Sequence, residues 1–202
     1  MNKLEKISGL KIDIVRGHLV FDEKEFVVEP KTRLFSDAEK VYLGKTDREA
    51  VLYWMYRYFE RTDDEKIFKK HRLEYDITVF EPGLIGREYI KTVGHYHAKV
   101  KGNGLTYPEA YEVISGEIEF LLQSKPDIDG KFDCYLIRPK VGDKIIVPPD
   151  FGHVSINVGK EVAVVSNVQL RDLPAGSDYN FFKDRKGRSE ERRVGKECRS
   201  RW

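Results

Sequence analysis

Two of the five histidines are separated by a single residue, in the segment Gly94-His95-Tyr96-His97. In a β-strand, residues i and i+2 point to the same face, so His95 and His97 would direct two imidazoles into one space, about 7 Å apart along the strand. Two imidazoles at this spacing could bind a metal ion inside a β-barrel. They could equally be an ordinary pair of surface or core histidines, and the spacing alone does not decide between these two interpretations.

Two further segments contain polar residues at the spacings of a known pattern. Glu109 is followed, after six residues, by a glycine. Gly142 is followed by a proline after five residues, by His153 after four more and by Asn157 after three more. Together with the paired histidines, these spacings resemble the two sequence motifs of the cupin superfamily, whose members are jelly-roll β-barrels.

Two features depart from the cupin pattern. Asp150 stands where the second motif has an inner glycine. The gap between His97 and Glu109 is longer than the first motif has, and its sequence, AKVKGNGLTYP, contains two glycines and a proline. We interpret this segment as an inserted loop.

The resemblance implies that His95, His97, Glu109 and His153 bind one metal ion. Imidazole and carboxylate ligands suit a divalent transition metal. Four protein ligands on an octahedral ion leave two positions for water or substrate oxygens, as catalysis requires. The alternative is a barrel that has lost its metal and keeps these residues as part of its core.

The sequence resembles one cupin branch in particular, the cupin-type glucose-6-phosphate isomerases of archaea and some bacteria. The stretches that carry this resemblance lie between Asp76 and Tyr179, and they are TVFEPGLIGREYIKTVGHYHAK, EAYEVISG, FLLQ, IIVPPDFGHVSINVG and AGSDY. The resemblance implies a homodimer with one divalent ion per subunit, Fe²⁺ being favoured over Mn²⁺, Ni²⁺ or Zn²⁺. It also implies substrate contacts at Tyr53, Thr78, Thr92, Gly94 and Tyr111.

The reaction implied by this family interconverts glucose 6-phosphate and fructose 6-phosphate, a step of glycolysis and gluconeogenesis. It moves a carbonyl between C1 and C2, which requires a base within reach of both carbons. Glu109 is our candidate base, acting through a metal-stabilised enediolate, and Tyr111, on the same strand face, is a candidate for handling the oxygen protons. A hydride shift between the two carbons is the rival mechanism.

The phosphate group needs hydrogen-bond donors. The Thr78 and Thr92 hydroxyls and the backbone N–H groups around Gly94 are the candidates, although threonine is also an ordinary strand residue. Lys91 would point to the opposite face of a regular strand and is a weaker candidate.

Other functions use the same residues. A non-heme iron cupin dioxygenase would have the same ligands, with an apolar pocket and oxygen consumption. A non-catalytic sugar- or metal-binding cupin, and an isomerase acting on mannose 6-phosphate or on an unphosphorylated sugar, are the remaining alternatives.

The arrangement of elements predicts a mainly β fold, a cupin barrel with an N-terminal α/β extension. Residues 1–72 should form the extension, with strands at KIDIV, HLVF and EFVVE and a helix over EAVLYWMYRYFER. Residues 73–183 contain short β-rich runs separated by turn signals, among them a predicted hairpin turn at Ser115-Gly116, and should form the barrel. Residues 184–202 are interpreted as a disordered or spurious basic tail.

Charge and hydropathy exclude some partners. The net charge is +2, but residues 185–202 carry eight Lys or Arg and three Glu, a net of +5, which leaves −3 for residues 1–184. A slightly acidic body offers no electrostatic footprint for nucleic acid. The sequence contains neither an apolar run of the roughly 18 residues that a membrane span needs nor an apolar N-terminal signal. We therefore expect a cytoplasmic enzyme whose partner is a small sugar phosphate.

Overall fold

The computed structural model describes residues 2–125, 127–129, 131–171 and 179. The strands within these residues are β1 (Ile12–Val15), β2 (His18–Phe21), β3 (Lys31–Leu34), β4 (Val51–Tyr56), β5 (Leu73–Phe80), β6 (Leu84–Ile85), β7 (Glu88–Tyr89), β8 (Glu109–Ser115), β9 (Ile118–Ser124), β10 (Cys134–Ile137), β11 (Lys144–Val147), β12 (Phe151–Asn157) and β13 (Ala163–Leu170). The helices are α1 (Lys3–Ser8), α2 (Phe35–Ala38) and α3 (Glu65–His71), with a 3₁₀ turn at Glu39–Val41. No helix in this part of the chain is long and apolar enough to cross a membrane.

The barrel consists of two antiparallel sheets that share one core. The larger sheet has six strands in the order β11-β8-β13-β5-β4-β3, and the smaller has three in the order β10-β9-β12. The segment that contains His95 runs beside β12 and joins it through isolated bridges, Lys91 with Ile156 and His95 with His153. This arrangement confirms the predicted mainly β cupin barrel with an N-terminal α/β extension.

The central strands of the six-stranded sheet are buried on both faces. One face packs on the smaller sheet, with Val113, Phe120 and Val165 in the shared core. The other face is covered by the N-terminal residues, which include Leu4 and Phe26. The N-terminal extension therefore completes the burial of the sheet on which much of the site is built.

The predicted helix over EAVLYWMYRYFER is wrong, because this segment contains strand β4. Tyr53 and Met55 face the core between the sheets, whereas Trp54 and Tyr56 face the N-terminal cluster. A strand that is buried on both faces is apolar at nearly every position, so its residues also satisfy helical spacing. Hydrophobic periodicity could not separate the two structures here.

Three other local predictions are corrected. EFVVE forms no strand, and His95 and His97 lie on a bridged segment rather than in a regular strand. Ser115-Gly116 is not the turn of a paired hairpin, because it connects β8 to β9 in the other sheet. Gly116 has a φ of +83° there, and a Cβ would lie 2.6 Å from the Cβ of Ala163. The predicted tail at 184–202 lies outside the described residues.

Candidate active site

The four predicted ligands, His95, His97, Glu109 and His153, converge in the structure. Their ligand atoms all lie within 4.8 Å of one another. Glu109 Oε2 is 3.1 Å from His97 Nε2 and 3.2 Å from His153 Nε2. The ring of His95 lies 4.5 Å from that of His153, measured between centroids. The side chains of His97, Glu109 and His153 are buried, and His95 is half-buried.

The atoms of this cluster fit a bound metal ion. Bonds of about 2.0–2.2 Å to one ion place adjacent ligand atoms about 3 Å apart, close to the separations found around Glu109 Oε2. His97 Nε2 and Glu109 Oε2 are buried without a hydrogen-bond partner among the described residues, although they lie close together. Such atoms face a common point rather than each other. Three imidazoles and one carboxylate are the donors that a divalent transition metal takes.

The orientation of His97 also suits a ligand. Its Nδ1 lies 2.8 Å from the backbone oxygen of Tyr107, which accepts a hydrogen bond from the Nδ1–H. This contact places the lone pair on Nε2, the nitrogen that faces Glu109. Metal-binding histidines are commonly held in one tautomer by such a contact.

The electrostatics favour the metal-binding protonation state at two of the four residues, Glu109 and His95. Burial opposes the ionisation of Glu109, but the adjacent imidazoles of His153 and His97 outweigh it and hold the pKa of Glu109 below its usual range. Burial, together with the two neighbouring imidazoles, lowers the pKa of His95 well below its usual value. A carboxylate and a neutral imidazole are the forms that bind a metal ion.

Asp150, which stands where the second motif has an inner glycine, lies in the loop before His153. Asp150 has a φ of +67°, a conformation that glycine adopts more easily. Its carboxylate accepts a hydrogen bond from Thr106 N (3.1 Å), and its own N–H donates to Thr106 Oγ1 (2.6 Å). Asp150 therefore ties the inserted loop between His97 and Glu109 to the segment that delivers His153.

A cavity of about 230 Å³ opens beside the four ligands. The predicted substrate contacts on its wall are Tyr53, Thr78, Thr92, Gly94 and Tyr111. Thr92 Oγ1 already accepts a hydrogen bond from Ser155 N (3.0 Å), which leaves its hydrogen available for a ligand. The Tyr111 hydroxyl lies 3.0 Å from His153 Nε2. The structure thus brings the predicted ligands and the predicted contacts into one site.

Several residues on this wall were not predicted from the sequence, and they are Arg33, Arg57, Glu74, Asn167, Gln169 and Tyr179. Tyr53 and Met55 alternate along β4, and Arg57 directly follows the strand, so reading this segment as a strand would have placed Arg57 on the inner face. Lys91 does not lie on the wall. Its ammonium group is buried against Glu88, 3.0 Å away.

The chain is similar in sequence to known proteins of one family. A family model described as glucose-6-phosphate isomerase (GPI) matches residues 32–197. The glucose-6-phosphate isomerase of Pyrococcus furiosus is 28% identical over 184 residues, covering 88% of this chain and 85% of that protein. The glucose-6-phosphate isomerase of Thermococcus litoralis is 27% identical over 185 residues, covering 91% and 87%.

Two other matches are shorter or more distant. A protein named putative glucose-6-phosphate isomerase 2 from Rhizobium meliloti is 35% identical over 106 residues, covering 52% of this chain and 47% of that protein. Among solved structures, vicilin from Capsicum annuum is 12% identical with a TM-score of 0.48, covering 68% of this chain and 33% of that one.

Proposed function

The chain belongs to the cupin-type glucose-6-phosphate isomerase family, and we propose that its site interconverts glucose 6-phosphate and fructose 6-phosphate with one bound divalent metal ion. One observation supports the metal dependence above all. His95, His97, Glu109 and His153 direct their ligand atoms to a common point beside a cavity. In this proposal, the isomerase activity is inferred from the family, and the bound metal ion is inferred from the chemistry of these four side chains.

In this proposal, Glu109 moves the carbon proton. A divalent ion held by the four ligands would polarise the substrate carbonyl and stabilise negative charge on its oxygens. Glu109 takes the proton from C2, the released electron pair forms the C1–C2 double bond of an enediolate, and Glu109 returns the proton to C1. Isomerisation in ²H₂O tests this step, because proton transfer incorporates deuterium into the product whereas a hydride shift does not.

The phosphate group would bind at the other part of the cavity wall. The Thr78 and Thr92 hydroxyls and the backbone around Gly94 supply neutral donors there. Arg33 supplies a positive charge, and its Nε is buried without a hydrogen-bond partner among the described residues. An arginine whose Nε–H is available suits a phosphate oxygen.

A coupled assay that converts fructose 6-phosphate to glucose 6-phosphate tests the function. We expect activity that is lost on chelation and restored by Fe²⁺ more than by Mn²⁺, Ni²⁺ or Zn²⁺. Glu109→Gln should lose activity even where metal analysis shows that it still binds an ion. Loss without rescue would argue against metal catalysis, and oxygen consumption during turnover would favour the dioxygenase alternative.

We also propose that the enzyme is a cytoplasmic homodimer, as the cupin resemblance implies. β11 forms one edge of the six-stranded sheet, and Ile146 on that strand is exposed. Exposed apolar side chains on an edge strand suit a contact between subunits. Light scattering coupled to gel filtration tests the proposal, and a monomeric mass at micromolar concentration would contradict it.

A further inference from the structure

A second carboxyl group lies in the same cavity as Glu109. Glu74, on β5, is 7% exposed and shares the inward face of its strand with Thr78. Gln169 on β13 pairs with Glu74, and the register that pairs Val168 with Ala110 places Gln169 beside Glu109. Two strand spacings of about 4.8 Å separate the backbones of Glu74 and Glu109 by about 10 Å. Both side chains therefore flank the space that a sugar would occupy.

Glu74 and its neighbour Asp76 have unequal surroundings. Asp76 is fully buried and accepts hydrogen bonds from Arg57 Nη1 (2.5 Å), Tyr58 N (2.8 Å) and the Asn167 side chain (3.4 Å). Gln169 Nε2 donates to Glu74 at 2.6 Å and lies 3.4 Å from Asp76. Asp76 is thus compensated by a guanidinium ion, whereas Glu74 faces a neutral amide.

This asymmetry raises the proton affinity of Glu74. Burial, and next the negative charge of Asp76, raise the pKa of Glu74 to about 7. Among the described residues, Arg57 and Tyr58 also act on the Glu74 carboxyl and oppose this rise, and β13 presents the neutral Gln169. A carboxyl group whose pKa lies near the operating pH suits general acid–base catalysis.

We propose that Glu74 is a second catalytic residue, which moves the oxygen protons of the isomerisation while Glu109 moves the carbon proton. The inference rests on the proposed function of the site and adds to it. It gives the oxygen protons to a carboxyl group outside the ligand cluster.

The proton transfers balance in the aldose-to-ketose direction. As Glu109 takes the C2 proton, the C–H electron pair forms the C1–C2 double bond and the C1 carbonyl pair moves onto O1, which takes the proton of Glu74. The Glu74 carboxylate then takes the proton of O2, and the O–H pair forms the C2 carbonyl. The double-bond pair takes the proton from Glu109 at C1, so both carboxyls return to their starting states.

Glu74→Gln in the metal-reconstituted enzyme tests the inference, because it keeps the shape and removes the proton. We expect kcat to fall about 100-fold, as for loss of a general acid–base group, with KM changed less than about threefold. The limb of the kcat–pH profile near pH 7 should disappear. Asp76→Asn should move that limb to lower pH, because it removes the negative charge beside Glu74.

The matched control is Glu112→Gln, which removes an outward-facing glutamate of β8 that pairs with Lys144 at 2.8 Å. It should keep the wild-type profile. An unchanged kcat in Glu74→Gln, or a lower kcat with the limb near pH 7 retained, would overturn the inference and leave Glu74 a structural residue.

A measurement without turnover separates this inference from the function on which it rests. Titration of the side-chain carboxyls by ¹³C NMR in the zinc-loaded wild type should show Glu74 titrating near pH 7. Because this measurement uses the wild type, it tests the inference even if Glu74→Gln does not fold. Titration near pH 4.5 would overturn the inference even in an active enzyme. A wild type without isomerase activity would instead refute the proposed function.

Discussion

The residue with the simplest role to test is Arg33, which brings a positive charge to the cavity wall. Its guanidinium carbon lies 6.0 Å from the centre of the Tyr53 ring, and its Nε has no hydrogen-bond partner among the residues described. Arg33→Met keeps the apolar stem and removes the charge. Loss of a hydrogen bond between charged groups costs about 1.5–3 kcal/mol, so KM for fructose 6-phosphate should rise about 10–100-fold.

The control for Arg33→Met is steady-state kinetics with two substrates, fructose 6-phosphate and unphosphorylated fructose. Any residual turnover of unphosphorylated fructose should be the same in Arg33→Met and the wild type, because only the phosphate meets the guanidinium. Arg138→Met, which removes an arginine paired with Glu119 away from the cavity, should leave both substrates unaffected. A parallel loss for both sugars in Arg33→Met would mean that Arg33 supports the fold instead.

The raised pKa of Glu74 predicts that the free energy of unfolding depends on pH, and this can be measured without substrate. Its folded pKa of about 7 lies above the model-compound value of 4.5. Proton binding by Glu74 therefore stabilises the folded state fully below about pH 4.5, and this contribution is lost as the pH rises through 7. Urea unfolding of the wild type and Glu74→Gln, compared at several pH values, should show the wild type losing stability relative to the variant between pH 4.5 and 7. A difference that does not vary with pH would contradict the assignment.

Among individual site residues, those that belong to a motif could be predicted from the sequence. The spacing of the cupin motifs allowed the four candidate ligands to be recognised, and these are His95, His97, Glu109 and His153. Glu74 could not be recognised, since its chemistry depends on Asp76 and on Arg57, whose pairing with Asp76 exists only once β4 lies beside β5. A glutamate in a charged sequence carries no local sign of being buried.

Among the elements, the inserted loop is held by one strained residue. Asp150 occupies a left-handed conformation that costs an L-residue about 1–2 kcal/mol, and it offsets part of this cost through its two hydrogen bonds with Thr106. Asp150→Ala keeps the strain and loses the side-chain hydrogen bond, whereas Asp150→Gly loses the bond but relieves the strain. Urea unfolding should therefore show Asp150→Ala to be about 1 kcal/mol less stable than Asp150→Gly. Equal stabilities would mean that the conformation is not strained.

The β6–β7 hairpin is tied to the chain after α2 by the buried carboxylate of Glu88, which also forms an ion pair. Glu88 contacts Lys91 Nζ and also accepts hydrogen bonds from Leu43 N (2.6 Å) and Gly44 N (3.1 Å). Lys91 is 5% exposed. Lys91→Met removes the cation from a buried carboxylate, so the free energy of unfolding should fall by about 3–5 kcal/mol.

The same variant decides whether Lys91 serves the fold or the substrate. Because its ammonium group lies outside the cavity wall, KM for fructose 6-phosphate should not change in folded Lys91→Met. Urea unfolding and steady-state kinetics measure the two effects separately. A higher KM with unchanged stability would reverse the assignment.

The elements show why some of the fold escaped prediction. The strands of the barrel could be recognised from short β-rich runs between turn signals, as in β5 and β13. The sheet to which each strand belongs could not, and Ser115-Gly116 looked like a hairpin turn because a connection between sheets uses the same residue types. β4 was missed for a different reason, since burial on both faces removes the alternation that identifies a strand.

At the scale of the whole molecule, the candidate metal centre joins the two sheets. Glu109 begins β8 in the six-stranded sheet, and His153 lies on β12 in the three-stranded sheet. His95 and His97 lie on the segment that bridges to β12. An ion held by all four would link the two halves of the barrel, so its binding should stabilise the global fold rather than one loop.

This arrangement predicts a large effect of metal on thermal unfolding. Free metal at 100 times its Kd stabilises the folded state by about 2.7 kcal/mol, which corresponds to about 5–10 °C in Tm for a chain of this size. Calorimetry of the chelated protein with and without Mn²⁺ should show this rise in the wild type and in His71→Ala, whose histidine is exposed on α3. His153→Ala should lose most of it, because β12 then contributes no ligand and the ion keeps three of its four. A shift that persists in His153→Ala, or one confined to a local transition while the main unfolding temperature stays constant, would show that the ion does not connect the sheets.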